Sequence, residues 1–461
     1  VIVHEDRKAP VVAVSIWFHV GSKDEKPGKT GFAHLFEHLM FNGSENYDDE
    51  FFGPFEQVGA TGMNGTTWFD RTNYFETVPT PALDMALWME SDRMGHLLGA
   101  VTQEKLDNQR GVVQNEKRQG DNQPYGKVEY NELAGLFPEG HPYRWSTIGS
   151  MEDLDAASLE DVHEWFKERY GSANTVLVLA GDINVAEARP LVEKYFGSID
   201  AGPPLSRLKE FIPERASNTR EQMREDVPQA RIYRSWVVPG RTHQARTNLD
   251  LAASVLGTGK NSRLYQALVY KNQLAVSVSA EVEQHELASI FRITATIKEG
   301  VDVSAVNAII DSEVNKFLTD GPSKEELQRA KTGINAAFVR GVEQVGGFSG
   351  KATALAQGEL YAGDPGFFRT RLAWVDSATP ADILKTSKSW LTKGYHQIDV
   401  LPVPSYTASK IDADRSALPV VGSTPDLTFP KVQRDQLANG LKIVLAERST
   451  VPVVNVAVQF D

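Results

Sequence analysis

Two cycles of one pattern, a β-branched apolar run followed by a train of helices, constrain how this 461-residue chain can fold. The first cycle opens with VVAVSIWFHV at 11–20 and holds TVLVLA at 175–180, with helical stretches around 31–41, 80–98, 103–119 and 158–169 between them. The second opens with ARIYRSWVV at 230–238 and continues with helices near 246–257, 262–270, 302–318 and 323–341. Strands followed by runs of helices imply α+β layers, each a sheet covered mainly on one face. Two similar subdomains are expected, 1–205 and 229–400. They are joined by a connector, 206–228, within a polar stretch that starts at Pro203-Pro204 and includes Pro213.

The end of the chain repeats its beginning. Residues 443–456 align without a gap on 1–14, and Glu5/Glu447, Pro10/Pro452, Val11/Val453, Val12/Val454, Val14/Val456 and Phe18/Phe460 are identical at that offset. Two unrelated β-hairpins would share composition, but an unbroken register favours a second copy of the opening hairpin. Asn439-Gly440 supplies the turn before its strand. Residues 401–430, with Pro402, Pro404, Pro419, Pro425 and Pro430, read as an interdomain linker, and 431–461 as the first strands of a second, truncated half. Because the sequence opens at Val1-Ile2-Val3 in hairpin-like residues, any signal peptide is expected to have been cut off or omitted.

Composition excludes several function classes. No apolar run approaches eighteen residues, so no membrane-spanning helix is expected. A net charge of −13 disfavours nucleic acid as a partner, and no basic stripe argues for it. The absence of cysteine removes disulfides, thiolate metal sites and cysteine nucleophiles.

The chemistry is concentrated in His34-Leu35-Phe36-Glu37-His38. Phe32, Leu35, Phe36, Leu39 and Met40 have roughly helical spacing, and Asn42-Gly43-Ser44 stops the segment. On a helix, positions i, i+3 and i+4 share a face, so both imidazoles and the carboxylate point one way. Two neutral imidazoles one turn apart begin a zinc site, and Glu37 is placed as the general base. This order inverts the commoner H-E-x-x-H helix and is itself a zinc peptidase signature. With ten histidines in the chain, a chance match is expected on the order of 0.01 times. The bland alternative is a pair of core histidines beside a solvated glutamate.

A His₂Glu site needs a third, carboxylate ligand. The stretch QEKLDNQRGVVQNEKRQG at 103–120 reads as a helix with Leu106, Val112 and Val113 near its apolar side, offering Glu104 and Glu116. Glu104 lies near the helix start, where a carboxylate commonly just complements the macrodipole. Glu116 borders the apolar part, and spacing alone leaves the two nearly balanced.

His34-x-x-Glu37-His38, followed 78 positions later by Glu116 within Val113-Gln114-Asn115-Glu116, resembles the pitrilysin/insulinase family of zinc metallopeptidases. The resemblance extends through Gly59–Thr67 with Asp70–Tyr74, His141-Pro142-Tyr143 with Ile148-Gly149, Thr175–Asp182, Leu256-Gly257, Ser262–Tyr265 and Leu268. It implies one Zn²⁺ per catalytic half, held by His34, His38 and Glu116, with Glu37 as base. It also implies mainly antiparallel sheets covered by helices, forming one half of a clamshell whose homologous C-terminal half is fused or a separate chain. Only the first subdomain carries the metal motif. Many members place a glutamate seven residues before the third ligand, where this chain has Gln109; an amide still hydrogen-bonds but lacks the charge. Bacterial two-half relatives are commonly exported, which by analogy points to the periplasm.

A strand over 61–68 with a free edge could add an unfolded peptide by backbone pairing, with Asn64 and Gly65 leaving room for it and Thr66 and Thr67 favouring extension. A plain turn at Gly62–Gly65 is the competing reading. His96, His163 and His141 read as structural or loop-anchoring. Gly257-Thr258-Gly259-Lys260 lacks phosphate-loop spacing, and Gly346–Gly350 reads as a flexible segment. The leading expectation is a zinc endopeptidase for unfolded peptides; the alternative is a peptide-binding scaffold of the same fold.

Overall fold

The computed structural model describes residues 1–404, 422, 431–447 and 455–459. The chain divides into two compact units, 1–403 and 404–461.

The first cycle runs β1 (Ile2–Glu5), β2 (Val11–Phe18), α1 (Phe32–Leu39), α2 (Gly53–Gln57), β3 (Thr61–Thr67), β4 (Thr72–Pro79), α3 (Leu83–Gly95), α4 (Gln103–Asp121), α5 (Val128–Leu136), α6 (Met151–Asp155), α7 (Leu159–Arg169), β5 (Thr175–Gly181) and α8 (Val185–Phe196). The second runs β6 (Thr219–Glu225), β7 (Arg231–Val238), α9 (Gln244–Gly257), β8 (Ala275–Glu283), β9 (Ser289–Ile297), α10 (Val303–Asp320), α11 (Lys324–Gly341), α12 (Lys351–Ala362), α13 (Phe367–Ser377), α14 (Pro380–Leu391) and β10 (His396–Pro402). Strand order 1-5-2-4-3 in the first sheet is repeated as 6-10-7-9-8 in the second. Each sheet has one parallel pair, β1 with β5 and β6 with β10, and is otherwise antiparallel. The fold is α+β, two mixed, mainly antiparallel sheets covered by helices.

β2 shows why its sequence is apolar throughout. Val12, Val14, Ile16 and Phe18 enter the main core with Leu35, Phe36 and Leu39 of α1, while Ala13 and Trp17 meet Ala352, Ala356 and Leu360 of α12. A strand buried on both faces cannot alternate apolar with polar residues. The expectation of sheets covered mainly on one face therefore needs correction. The subdomains exchange a helix: α12, from the second cycle, lies on β2 and β5, and α5, from the first, lies on β7 and β10. Glu132 of α5 accepts hydrogen bonds from Ser235 of β7 and, at 2.7 and 2.6 Å, from Arg292 of β9.

The polar connector also contains structure. Residues 219–225, TREQMRE, form β6 at the edge of the second sheet. Edge strands accommodate charge, which is why this one carries no apolar signature. The glycine segment 346–350 packs closely rather than hanging free: a Cβ on Gly346 would lie 2.8 Å from that of Ala13.

In the second unit, β11 (Val432–Gln436) and β12 (Lys442–Ala446) pair antiparallel across the turn expected at Asn439-Gly440, where Gly440 has φ 88°. Nearly all of the proposed linker and much of the repeated segment lie outside the described residues. Among the described residues, no helix is long and apolar enough to cross a membrane.

Candidate metal centre

Helix α1 starts at Gly31, whose φ of 85° and close approach to the Ile148 carbonyl exclude a side chain. Beneath this terminus Glu25 is buried, accepting from the Gly31 and Ala33 amides at 3.2 and 2.8 Å and from Trp145 Nε1 at 2.8 Å. A carboxylate there satisfies orphan amides and complements the helix dipole. Leu35, Phe36 and Leu39 lock the helix into the core, and its other side meets α4 and β3.

That side brings together three donors 82 residues apart in the chain at their extremes. The Nε2 atoms of His34 and His38 lie 3.3 Å apart, and Glu116 Oε2 is 3.7 Å from the first and 3.6 Å from the second. Ligands at zinc–donor distances in a tetrahedral site are separated by roughly 3.3 Å. All three ligand atoms fall within 4.8 Å of one another. Burial, and to a lesser degree His38, pushes His34 down to about 4, leaving its imidazole neutral with a free lone pair. The donor set and its spacing fit a zinc ion.

Glu104, the competing candidate, is exposed in the first turn of α4, outside this group. Glu116 itself is exposed, and Val112 faces solvent although Val113 is buried. Glu116 reaches the histidines because it lies three residues after Val113 on the face α4 turns toward α1.

Surrounding residues orient the donors. Gln109 Oε1 lies 3.3 Å from His38 Nδ1, and with Nδ1–H donating, Nε2 is left as the acceptor. The amide is aligned by Asn42, whose Oδ1 accepts from Gln109 Nε2 at 3.1 Å while its Nδ2 donates to the His38 carbonyl at 2.8 Å. Glu37 is buried and accepts from Thr67 Oγ1 at 2.5 Å. Burial pushes its carboxyl up to about 7, opposed by the Thr67 hydrogen bond and the charge of Arg71.

β3 is the edge strand expected beside the site, with an irregularity between Thr61 and Asn64 and Gly62 at φ 61°, so the turn reading survives only as a bulge. Its residues serve different ends. Thr67 turns to Glu37, whereas Thr66 Oγ1 donates to Asn73 at 2.5 Å and its carbonyl accepts from Arg71 at 2.7 Å. Asn64 is exposed. A Cβ on Gly65 would lie 2.7 Å from Phe41 and 3.0 Å from Tyr74, so glycine there admits those rings. Asn42 and Arg71 went unrecognised in the sequence, because nothing local marks an asparagine or arginine as facing a residue tens of positions away.

His141 and His96 lie outside this group of donors. His141 is fully buried, its Nε2 donating to the Phe211 carbonyl at 2.9 Å and its Nδ1 accepting from the Tyr143 amide at 3.0 Å. His96 is exposed beside Glu45.

Comparison with known proteins bears on the family of the chain. Residues 1–135 match the model for "Insulinase (Peptidase family M16)" and residues 156–334 the model for "Peptidase M16 inactive domain". The zinc protease PqqE of Helicobacter pylori is 28% identical over 344 residues, covering 73% of this chain and 76% of that one. A solved protease structure from Helicobacter pylori superposes with TM-score 0.79 at 24% identity, over 87% of this chain and 96% of the other. The periplasmic protease PqqL of Escherichia coli superposes with TM-score 0.72 at 15% identity, over 98% of this chain but 55% of the longer protein. The crystallised first half of PqqL gives TM-score 0.69 at 16% identity, over 86% and 88%. The chain belongs to the M16, or insulinase, family of peptidases.

Proposed function

We propose that the chain is the metal-bearing half of a zinc endopeptidase that hydrolyses unfolded peptides, with one zinc ion held by His34, His38 and Glu116. The observation that carries this reading is the meeting of those three donors, from α1 and α4, beside Glu37, a buried carboxylate on the helix of the two histidines. A bound Zn²⁺ supplies a Lewis acid for the scissile carbonyl and lowers the pKa of a coordinated water to about 7. Glu37, held by Thr67, takes the proton of the attacking water and returns it to the leaving amine. The free edge of β3 pairs with the backbone of an extended peptide, with Asn64 and Thr66 at the exposed side.

In this reading 1–205 is the catalytic subdomain, 206–228 the connector, 229–400 a subdomain without a metal site, 401–430 a linker and 431–461 the start of a second half. The "inactive domain" match over 156–334 supports a metal-free second subdomain. The length of PqqL beyond the superposed region supports a homologous second half as partner, fused or separate, and its periplasmic setting supports the same compartment for this chain.

The test combines elemental analysis for zinc with cleavage of a quenched unfolded peptide, with and without chelator, for the wild type and Glu37→Gln, alone and with the second half. One zinc per chain, and chelator-sensitive cleavage lost in Glu37→Gln, is expected. Zinc retained without cleavage in any combination would establish a peptide-binding scaffold instead, and no zinc would refute the ligand assignment.

A further inference from the structure

The second subdomain holds a group of arginines that the peptidase chemistry does not use. Arg241 follows β7, Arg246 lies in the first turn of α9 and Arg371 on α13, and all three line one cavity of about 90 Å³. Arg246 is 1% exposed. Its Nη1 donates to Asp250, its Nη2 is 3.4 Å from the Arg241 carbonyl, and its Nε has no partner. The Arg241 guanidinium lies 3.9 Å above the Tyr361 ring and donates to Gln357 Oε1 at 3.2 Å. Arg371 has no hydrogen-bond or ion-pair partner among the described residues.

Asp250 is one carboxylate against three guanidinium groups, and among the described residues that line the cavity none is acidic. Burial depresses the Arg371 guanidinium below its ordinary pKa; Asp250 opposes this and Arg241 adds to it. Partly buried like charges without compensation are unfavourable unless an anion completes them. The cavity has space for several water-sized atoms, and it runs into a groove of about 760 Å³ that shares Phe338, Gln357 and Arg371 with it. Phe348, 67% exposed and edge-on to Phe75 of β4 at 5.0 Å, lines that groove.

We propose that Arg241, Arg246 and Arg371 form a carboxylate-binding subsite, which takes the C-terminal carboxylate or an acidic side chain of a peptide lying in the adjoining groove. Guanidinium forks match carboxylate geometry, and charge-assisted pairs are the stronger hydrogen bonds. The proposal rests on the reading of the chain as a peptide-handling protein and names the substrate feature it selects.

The test measures binding without turnover. Fluorescent unfolded peptides are titrated against the intact Glu37→Gln protein in three forms: free C-terminus without acidic side chains, C-terminal amide without them, and C-terminal amide with one aspartate. At least one carboxylate form is expected to bind about tenfold tighter than the neutral amide, and which one identifies the source. Adding Arg371→Met should abolish that preference, so that carboxylate and neutral-amide forms bind alike; Arg371→Lys should keep part of it. Melting temperature should not fall in Arg371→Met, because an unpaired charge is removed. Equal affinities, no binding by any form, or a preference that survives Arg371→Met overturns the subsite. A carboxylate preference in a protein that never cleaves peptides would refute only the peptidase reading, and cleavage without the preference only the subsite.

Discussion

Gln109 Oε1 lies 3.3 Å from Nδ1 of His38, two helical turns before Glu116 on α4. The neutral amide orients the ring and fixes which nitrogen faces Glu116, but it adds no negative charge behind the imidazole. Gln109→Ala is therefore expected to weaken zinc binding about tenfold to a hundredfold. Gln109→Glu should bind zinc at least as tightly as the wild type. Competition with a chromophoric chelator measures both, and an unchanged affinity in Gln109→Ala would show that the contact is incidental.

Gly65 fits beneath two aromatic rings. Its backbone conformation is open to any residue, so alanine would ordinarily gain stability through the unfolded state. Here the added Cβ meets Tyr74 and Phe41, which lie edge-on to each other, and Phe41 is packed against Phe51 and Phe52. Gly65→Ala should lose about 1–3 kcal/mol by denaturant unfolding, and a stabilised variant would show that the rings yield to a side chain.

The helix exchange is secured by Glu132, which is 2% exposed and bound to Arg292 by two hydrogen bonds. Removing one partner of a buried pair leaves the other uncompensated, though Arg292 keeps Glu283 at 2.7 Å. Glu132→Ala is expected to lose about 3 kcal/mol, read as a lower melting temperature. A neutral result would mean that α5 is held by apolar packing alone.

The same cluster sets an acid limit. Burial alone would raise the Glu283 carboxyl, but His285 and Arg292 outweigh it and hold the group at about 2. A folded pKa below the unfolded one contributes stability above the unfolded value and loses it as pH falls from about 4.5 toward 2. Glu283→Gln should flatten that part of the melting-temperature profile between pH 5 and 3. A profile of unchanged slope would place the acid sensitivity elsewhere.

The sequence by itself determined the local parts of this protein. The order His34, Glu37, His38 on a helix follows from a 3.6-residue period, and the apolar, β-branched runs at 11–20 and 175–180 read as strands, where the fold has β2 and β5. Near neighbours in the chain share geometry that residue types reveal.

Whatever depends on distant segments meeting was decided by tertiary structure. Spacing could not separate Glu104 from Glu116, because only the packing of α4 on α1 selects one of them. The charged strand β6 was hidden, since an edge needs no apolar face, and so was the exchange of α5 and α12, since a helix sequence states that it will be buried but not on which sheet. Arg241 and Arg371 look like ordinary surface charges until the fold draws them around one cavity. Burial, pairing and electrostatic field are properties of a residue's surroundings, and those surroundings exist only once the chain has closed.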